Sequence, residues 1–232
     1  MNVMRNRTRL AALSVVALVS LGTLSGCGDV HPGAAAVVGD STLSSSDADT
    51  LSRDLCKVVT EAPEQATQSF PRSVALEAVV QRYVMRSIAS QMADDYGVES
   101  SSTYAADAAA AKKQLDYLDP EVRDRVLDLL VADRYFNDVL STIGQQQLLA
   151  EGATDPTAED DLARGIALAQ AWESDNGVDI NPRFPALTLG DTQFEQTPDR
   201  TSVAVSQFAK DAATSPADDA WVEALPASQK CG

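Results

Sequence analysis

Apolar positions recur along this chain with two periods. Between residues 71 and 96, Leu76, Val79, Val80, Tyr83, Val84, Ile88 and Met92 return every three or four residues. That spacing lays one apolar stripe along a helix, with Arg72, Arg82 and Arg86 on its other sides. Ala48, Leu51, Leu55 and Val58 make a shorter stripe behind Ser44 and Asp47, a capping box that predicts a helix over residues 44–59. Asp119-Pro120-Glu121 is a helix start: a capping carboxylate, a proline at the first helical position and an acid in the first turn. The helix it opens carries Val122, Val126, Leu129, Leu130, Phe136, Leu140 and Ile143, with a second stripe of Leu127, Val131, Tyr135 and Val139, which implies burial on more than one side. Asp155-Pro156-Thr157 starts another helix through Leu162, Ile166, Ala169 and Trp172, stopping near Asn176-Gly177, and a weakly apolar helix over 105–117 covers the surface.

The period-two segments are short. Residues 34–38 and 41–43 flank Gly39-Asp40 and read as strand, tight turn, strand. Val178-Asp179-Ile180 alternates as a strand does. Asn181 to Pro185 is expected to stay extended, because each proline biases its predecessor away from the helical region, and prolines confine a strand to an edge. Such an edge strand, added to the N-terminal hairpin, joins the two ends of the domain. The fold expected is mainly α, a helical domain with a small β-hairpin and a C-terminal edge strand. It occupies residues 34–189, followed at 190–232 by a polar surface-hugging extension with a weak helix near 202–213 and Trp221 as anchor. Abundant alanine and only 5% aromatic residues fit helices packed closely through small side chains.

One apolar run obeys neither period. Behind Arg5, Arg7 and Arg9, residues 10–21 are uncharged and apolar and lead to Leu24-Ser25-Gly26-Cys27. A basic start, a short apolar core and small residues before a cut are the three parts of a secretory signal over residues 1–26. The run is shorter than the roughly 20 residues that a spanning helix needs. Its end resembles the lipobox of bacterial lipoproteins, in which the cysteine receives a diacylglycerol and becomes the mature N-terminus. The resemblance implies cleavage between Gly26 and Cys27, lipidation at Cys27, a tether over residues 27–33, and attachment to the extracytoplasmic face of the cell membrane. Two or three acyl chains give the stable anchorage that one chain does not.

Charge and cysteines narrow the chemistry. The chain carries 18 Lys and Arg against 34 Asp and Glu, a formal net charge of −16, and losing the leader removes three arginines and no acid. That field repels phosphate backbones and anionic lipid heads, so nucleic acid is not an expected partner. With Cys27 lipidated, Cys56 and Cys231 remain as an even pair, which in an exported protein points to a disulfide between the first helix and the last residues. The alternative is a buried and an exposed thiol that never meet. The one histidine, His31, lies in the tether, which removes nucleophile-and-base catalysis through histidine and His/Cys zinc sites. No P-loop or dinucleotide-binding glycine motif stands in the chain. The stretch from Asp175 to Asn181 lacks the glycine and glutamate of a calcium loop. Glu159-Asp160-Asp161 and Asp218-Asp219 read as a helix start and a solvated tail. The expectation is no enzyme, no cofactor and no metal.

The order lipobox, short tether, Ala-Ala-Val-Val-Gly-Asp-Ser-Thr-Leu-Ser from Ala35, and a long helix ending in Asp94-Asp95-Tyr96-Gly97-Val98 is similar to the N-terminal domain of the SurA/PrsA-like extracytoplasmic chaperones. With Asn181-Pro182-Arg183-Phe184 near its end, it looks like the actinobacterial members. The chain has Val38-Gly39-Asp40 where that family has Asn-Gly, and it has no room for a parvulin isomerase domain. The resemblance implies a membrane-anchored, chaperone-like lipoprotein that binds unfolded or exported polypeptides in an apolar groove between helices, without prolyl isomerase activity. The alternative is an interaction lipoprotein that docks one specific partner of the cell envelope.

Overall fold

A computed structural model describes residues 31–62, 69–190, 194–197, 204–212 and 218–232. Residues 31–232 form one compact unit. The expected leader, the Gly26/Cys27 cut, lipidation at Cys27 and all of the tether before His31 lie outside the described residues.

The chain is mainly helical, with small antiparallel strand pairs. β1 (Ala34–Val38) and β2 (Ser41–Ser44) form the N-terminal hairpin. Gly39 turns it at φ +53°, and a Cβ there would run into the side chain of Gln91, so both backbone freedom and space require glycine. Ser44 then caps α1 (Ser45–Thr60): its hydroxyl accepts from the Asp47 N–H and donates to the Asp47 carboxylate. β3 (Phe70–Pro71) leads into α2 (Arg72–Tyr96), the central helix, which stops where Gly97 adopts the left-handed conformation. Val79, Val84, Ile88, Ala89 and Met92 are fully buried along it.

α3 (Ser102–Gln114) has no buried residue and lies on the surface. α4 (Pro120–Leu130) and α5 (Ala132–Ala150) follow. The sequence pattern predicts one helix here; the structure breaks it at Val131, whose φ −104° and ψ 7° leave the helical region. The segments on either side of the break serve different packing sites. Val122 and Val126 of α4 pack with Leu115 and Leu118 in a small satellite core. Phe136, Val139, Leu140 and Ile143 of α5 enter the main core with α2.

α6 (Ala158–Asn176) starts on Thr157 with a capping box to Asp160 and packs along α5. The contact is close because both helices present glycine. A Cβ on Gly144 would collide with the Asp161 carbonyl oxygen and stand 2.8 Å from the Gly165 nitrogen, and one on Gly165 would collide with the Leu140 carbonyl oxygen.

β4 (Val178–Ile180) pairs antiparallel with β1, giving the sheet order β2-β1-β4. The next residues correct an expectation. Asn181 to Phe184 is not extended but a turn, in which the Phe184 N–H donates to the Asn181 carbonyl (2.9 Å) and the Arg183 N–H to the Asn181 side-chain oxygen (3.2 Å). Asn followed by Pro suits the first two positions of such a turn, and these local bonds outweigh the extended bias. β5 (Ala186–Leu189) pairs with β6 (Phe194–Thr197). Residues 190–232, expected as a polar extension, thus begin inside a hairpin that buries Leu189 and Phe194 against the core. α7 (Gln207–Ala212) and α8 (Asp219–Glu223) are short, and Trp221 stacks on Phe208 with ring centroids 5.4 Å apart. Val222, Leu225 and Cys231 are buried, and β7 (Lys230–Cys231) pairs with β3.

Candidate functional site

Four places on the domain combine polar chemistry with defined geometry. The first is the cysteine pair. Cys56 sits on α1 and Cys231 on β7, which β3 holds in register opposite Phe70. Their Cα atoms are 5.1 Å apart across a sequence separation of 175, inside the range that a disulfide spans. Both are buried, Cys231 at 1% exposure.

Beside it lies a buried charge. Asp54 of α1 is 4% exposed and receives Arg125 Nε of α4 at 2.8 Å and Lys57 Nζ at 3.1 Å. Burial pushes its carboxyl up, but the hydrogen bonds and charges of Arg125 and Lys57 outweigh that and hold it below the ordinary value. The Tyr117 hydroxyl donates to the Val58 carbonyl at 2.6 Å nearby, tying the α3–α4 connection to α1. This cluster ties α1 to α4.

The third place is a hollow of about 350 Å³ between α3 and α5, lined by Thr103, Tyr104, Asp107, Arg134, Asn137, Asp138 and Ser141. Tyr104 and Asp138 of its lining belong to a network that the sequence pattern did not reveal. Arg86 lies 4.5 Å above the Tyr135 ring, donates to the Tyr104 hydroxyl at 3.3 Å and pairs with Asp128 at 3.0 Å. Tyr104 and Tyr135 are in ring contact at 5.2 Å. Asp138 accepts from the Ser101 N–H at 2.8 Å and from its hydroxyl. Arg134 and Asp107 face each other at 3.9 Å. The hollow can accept hydrogen bonds and opposite charges, but it is not the apolar groove expected from the resemblance. Between α2, α5 and α6, Val84, Ile88, Met92, Leu140, Ile143 and Ala169 fill the space. Large apolar side chains do reach solvent at Val74, Leu149, Val205 and Phe208.

The fourth is a titratable group. Glu173 on α6 is half-buried, and burial pushes its carboxyl up to about 7. Glu77 on α2 is raised by the same cause.

His31 is exposed at the start of the described residues. Asp179 and Asn181 of the stretch weighed for calcium belong to β4 and its turn, where Asn181 Nδ2 donates to the Ala34 carbonyl at 3.0 Å. Among the described residues no three His, Cys, Asp or Glu side chains converge as a metal would require, and no helix is long and apolar enough to cross a membrane. Sequence reasoning singled out Cys56 and Cys231, and the structure brings them together. It did not single out Arg86, Tyr135 or Asp138, whose partners lie on other helices and leave no local spacing to read. No family model, no curated protein and no solved structure matches the chain.

Proposed function

We propose that the protein is a membrane-anchored extracytoplasmic lipoprotein that acts by binding other polypeptides, without prolyl isomerase or other enzymatic activity. Of the two binding modes considered, docking of a specific envelope partner is the better supported. The filled interface between α2, α5 and α6 carries that choice. A holdase needs a contiguous apolar surface to receive many unfolded sequences, and here the large helices spend their apolar faces on one another. The lipobox resemblance at Cys27 supports the anchor, and the acidic surface supports a basic partner.

The test compares two readouts on the full-length protein in mild detergent. Recovery with a single stoichiometric envelope protein, and no delay in the aggregation of a chemically unfolded model enzyme, is the expected result. Suppression of aggregation at near-stoichiometric protein returns the chaperone-like reading and defeats the docking one. A Cys27→Ser variant that stays in the membrane fraction defeats the anchor.

A further inference from the structure

β4 is the last strand of its sheet, and among the described residues no strand pairs with its outer side. Its register with β1 sets Val37 opposite Asp179. The Gly39 N–H donates to the Gly177 carbonyl and the Asn181 N–H to the Ala35 carbonyl, each at 3.0 Å. In an antiparallel ladder, residues whose backbone groups face the neighbour alternate with residues whose groups face away. Residues 177, 179 and 181 face β1, so the N–H and C=O of Val178 and Ile180 face outward. None of these four groups has a hydrogen-bond partner among the described residues. The side chains of Val178 and Ile180 pack against the core, while Asp179, on the opposite face, is exposed. A well-held strand with free outward groups is the template for strand addition.

We propose that this edge takes up an extended segment of a partner protein as a fourth strand, with a basic side chain opposite Asp179. The inference rests on reading the domain as a binding module and specifies how it binds. Charge selects the occupant. If a second copy paired edge to edge, Val178 would bond Ile180 of the copy and the reverse. The two Asp179 residues would then stand directly opposite each other as a non-hydrogen-bonded pair, where Cα atoms approach to about 4.5 Å. Like charges so placed destabilise the pair. A lysine or arginine there has the opposite effect. Asp40 and Asp175, both exposed, follow and precede the residues of the Gly39–Gly177 bond in sequence and add to the negative field at that end. At the other end the exposed Arg183 is taken up by the Phe184 ring, 5.1 Å from its centroid.

The experiment titrates ¹⁵N-labelled full-length protein in detergent with two synthetic peptides, Thr-Val-Lys-Val-Thr and Thr-Val-Glu-Val-Thr. The expected result is that the Val178 and Ile180 amides shift and their hydrogen exchange slows. The Lys peptide should bind more tightly by about 2- to 30-fold, the range set by exchanging a cross-strand opposite-charge pair for a like-charge one. Asp179→Lys should invert that preference. Ile180→Pro removes one outward N–H without touching a β1 bond, as edge prolines do, and should weaken both peptides. The proposal is overturned if the Val178 and Ile180 amides are already protected in the free protein, if Asp179→Lys leaves the preference unchanged, or if the free protein is a dimer that Ile180→Pro dissociates. An envelope partner that still binds Ile180→Pro and Asp179→Lys at full strength keeps the docking reading and sinks the edge alone.

Discussion

A thiol count on the full-length protein tests both the anchor chemistry and the closure of the domain. The chain has three cysteines. If Cys27 carries lipid and Cys56 is bridged to Cys231, a thiol reagent applied under denaturing, non-reducing conditions labels none, and after reduction it labels two. The energetic consequence follows from the sequence separation of 175. Closing a loop of that length removes denatured-state entropy equivalent to about 5 kcal/mol in the chain-entropy model, an upper figure because real denatured chains keep some structure. The cross-link is buried and joins α1 to β7, so its loss also frees the 218–232 segment that buries Val222 and Leu225. Urea denaturation of Cys231→Ser, or of wild type under reductant, should lower the midpoint by several kcal/mol over the slope and make residues 218–232 the first site of proteolysis. One or more thiols labelled without reductant, or a midpoint that reduction leaves in place, would refute the reasoning.

Three further outcomes are expected. Gly165→Ala should destabilise, although alanine is the better helix former by about 1 kcal/mol. Its Cβ would strike the Leu140 carbonyl and lie 2.9 Å from Leu140 Cβ, and overpacking costs roughly 1 to 3 kcal/mol where side chains can yield; an unchanged or raised Tm would mean that α5 and α6 do not approach this closely. Glu173 has a folded pKa raised to about 7, so its protonated form is favoured by folding. Stability should therefore fall as pH rises from its unfolded value through about 7 and level off above, and Glu173→Gln should flatten that decline in thermal melts from pH 5 to 8. Asp54 has a lowered folded pKa, so its contribution is present above the unfolded pKa and lost as pH falls through the folded one. Asp54→Asn should cost roughly 1 to 3 kcal/mol at neutral pH, as loss of a buried charged acceptor does, and progressively less as pH falls through the acid range; a cost independent of pH would assign the effect to packing.

The elements legible in the sequence are those whose signals are local. Ser44 with Asp47, Pro71 before Arg72 and Gly97 after Tyr96 mark helix ends within a few residues, and the Gly39-Asp40 turn sits between its strands. The break at Val131 was not legible, because it follows from tertiary packing: Val122 and Val126 of α4 join Leu115 and Leu118, whereas α5 packs on α2 in the main core. The same holds for the tail: β7 exists because β3 lies opposite it, and nothing in Lys230-Cys231 alone says strand. Asp161 read as one acid of a helix start, and nothing local says that it is only 6% exposed, because Gly144 lets α5 close over it. The Arg86 network is invisible for the reverse reason: its residues look like ordinary surface charge until α3 and α5 bring Tyr104 and Tyr135 to either side.

These same contacts bear on how the domain binds. A helical domain that opens to receive chains must keep a contiguous apolar face unpaired, whereas among the described residues α2 and α5 each expose a single large apolar side chain, Val74 and Leu149. Glycines at 144 and 165 work against this, because they draw α5 and α6 together until backbone meets backbone. The contact between Cys56 and Cys231 works in the same direction at the other end, fastening the last residues over α1. What remains for recognition is the periphery: a polar hollow on α3 and α5, and four outward backbone groups on β4. The hollow offers charges of both signs, whereas the outward backbone groups of β4 are spaced to match another extended strand, with Asp179 proposed to choose its charge. On the proposed binding reading, specificity falls on β4.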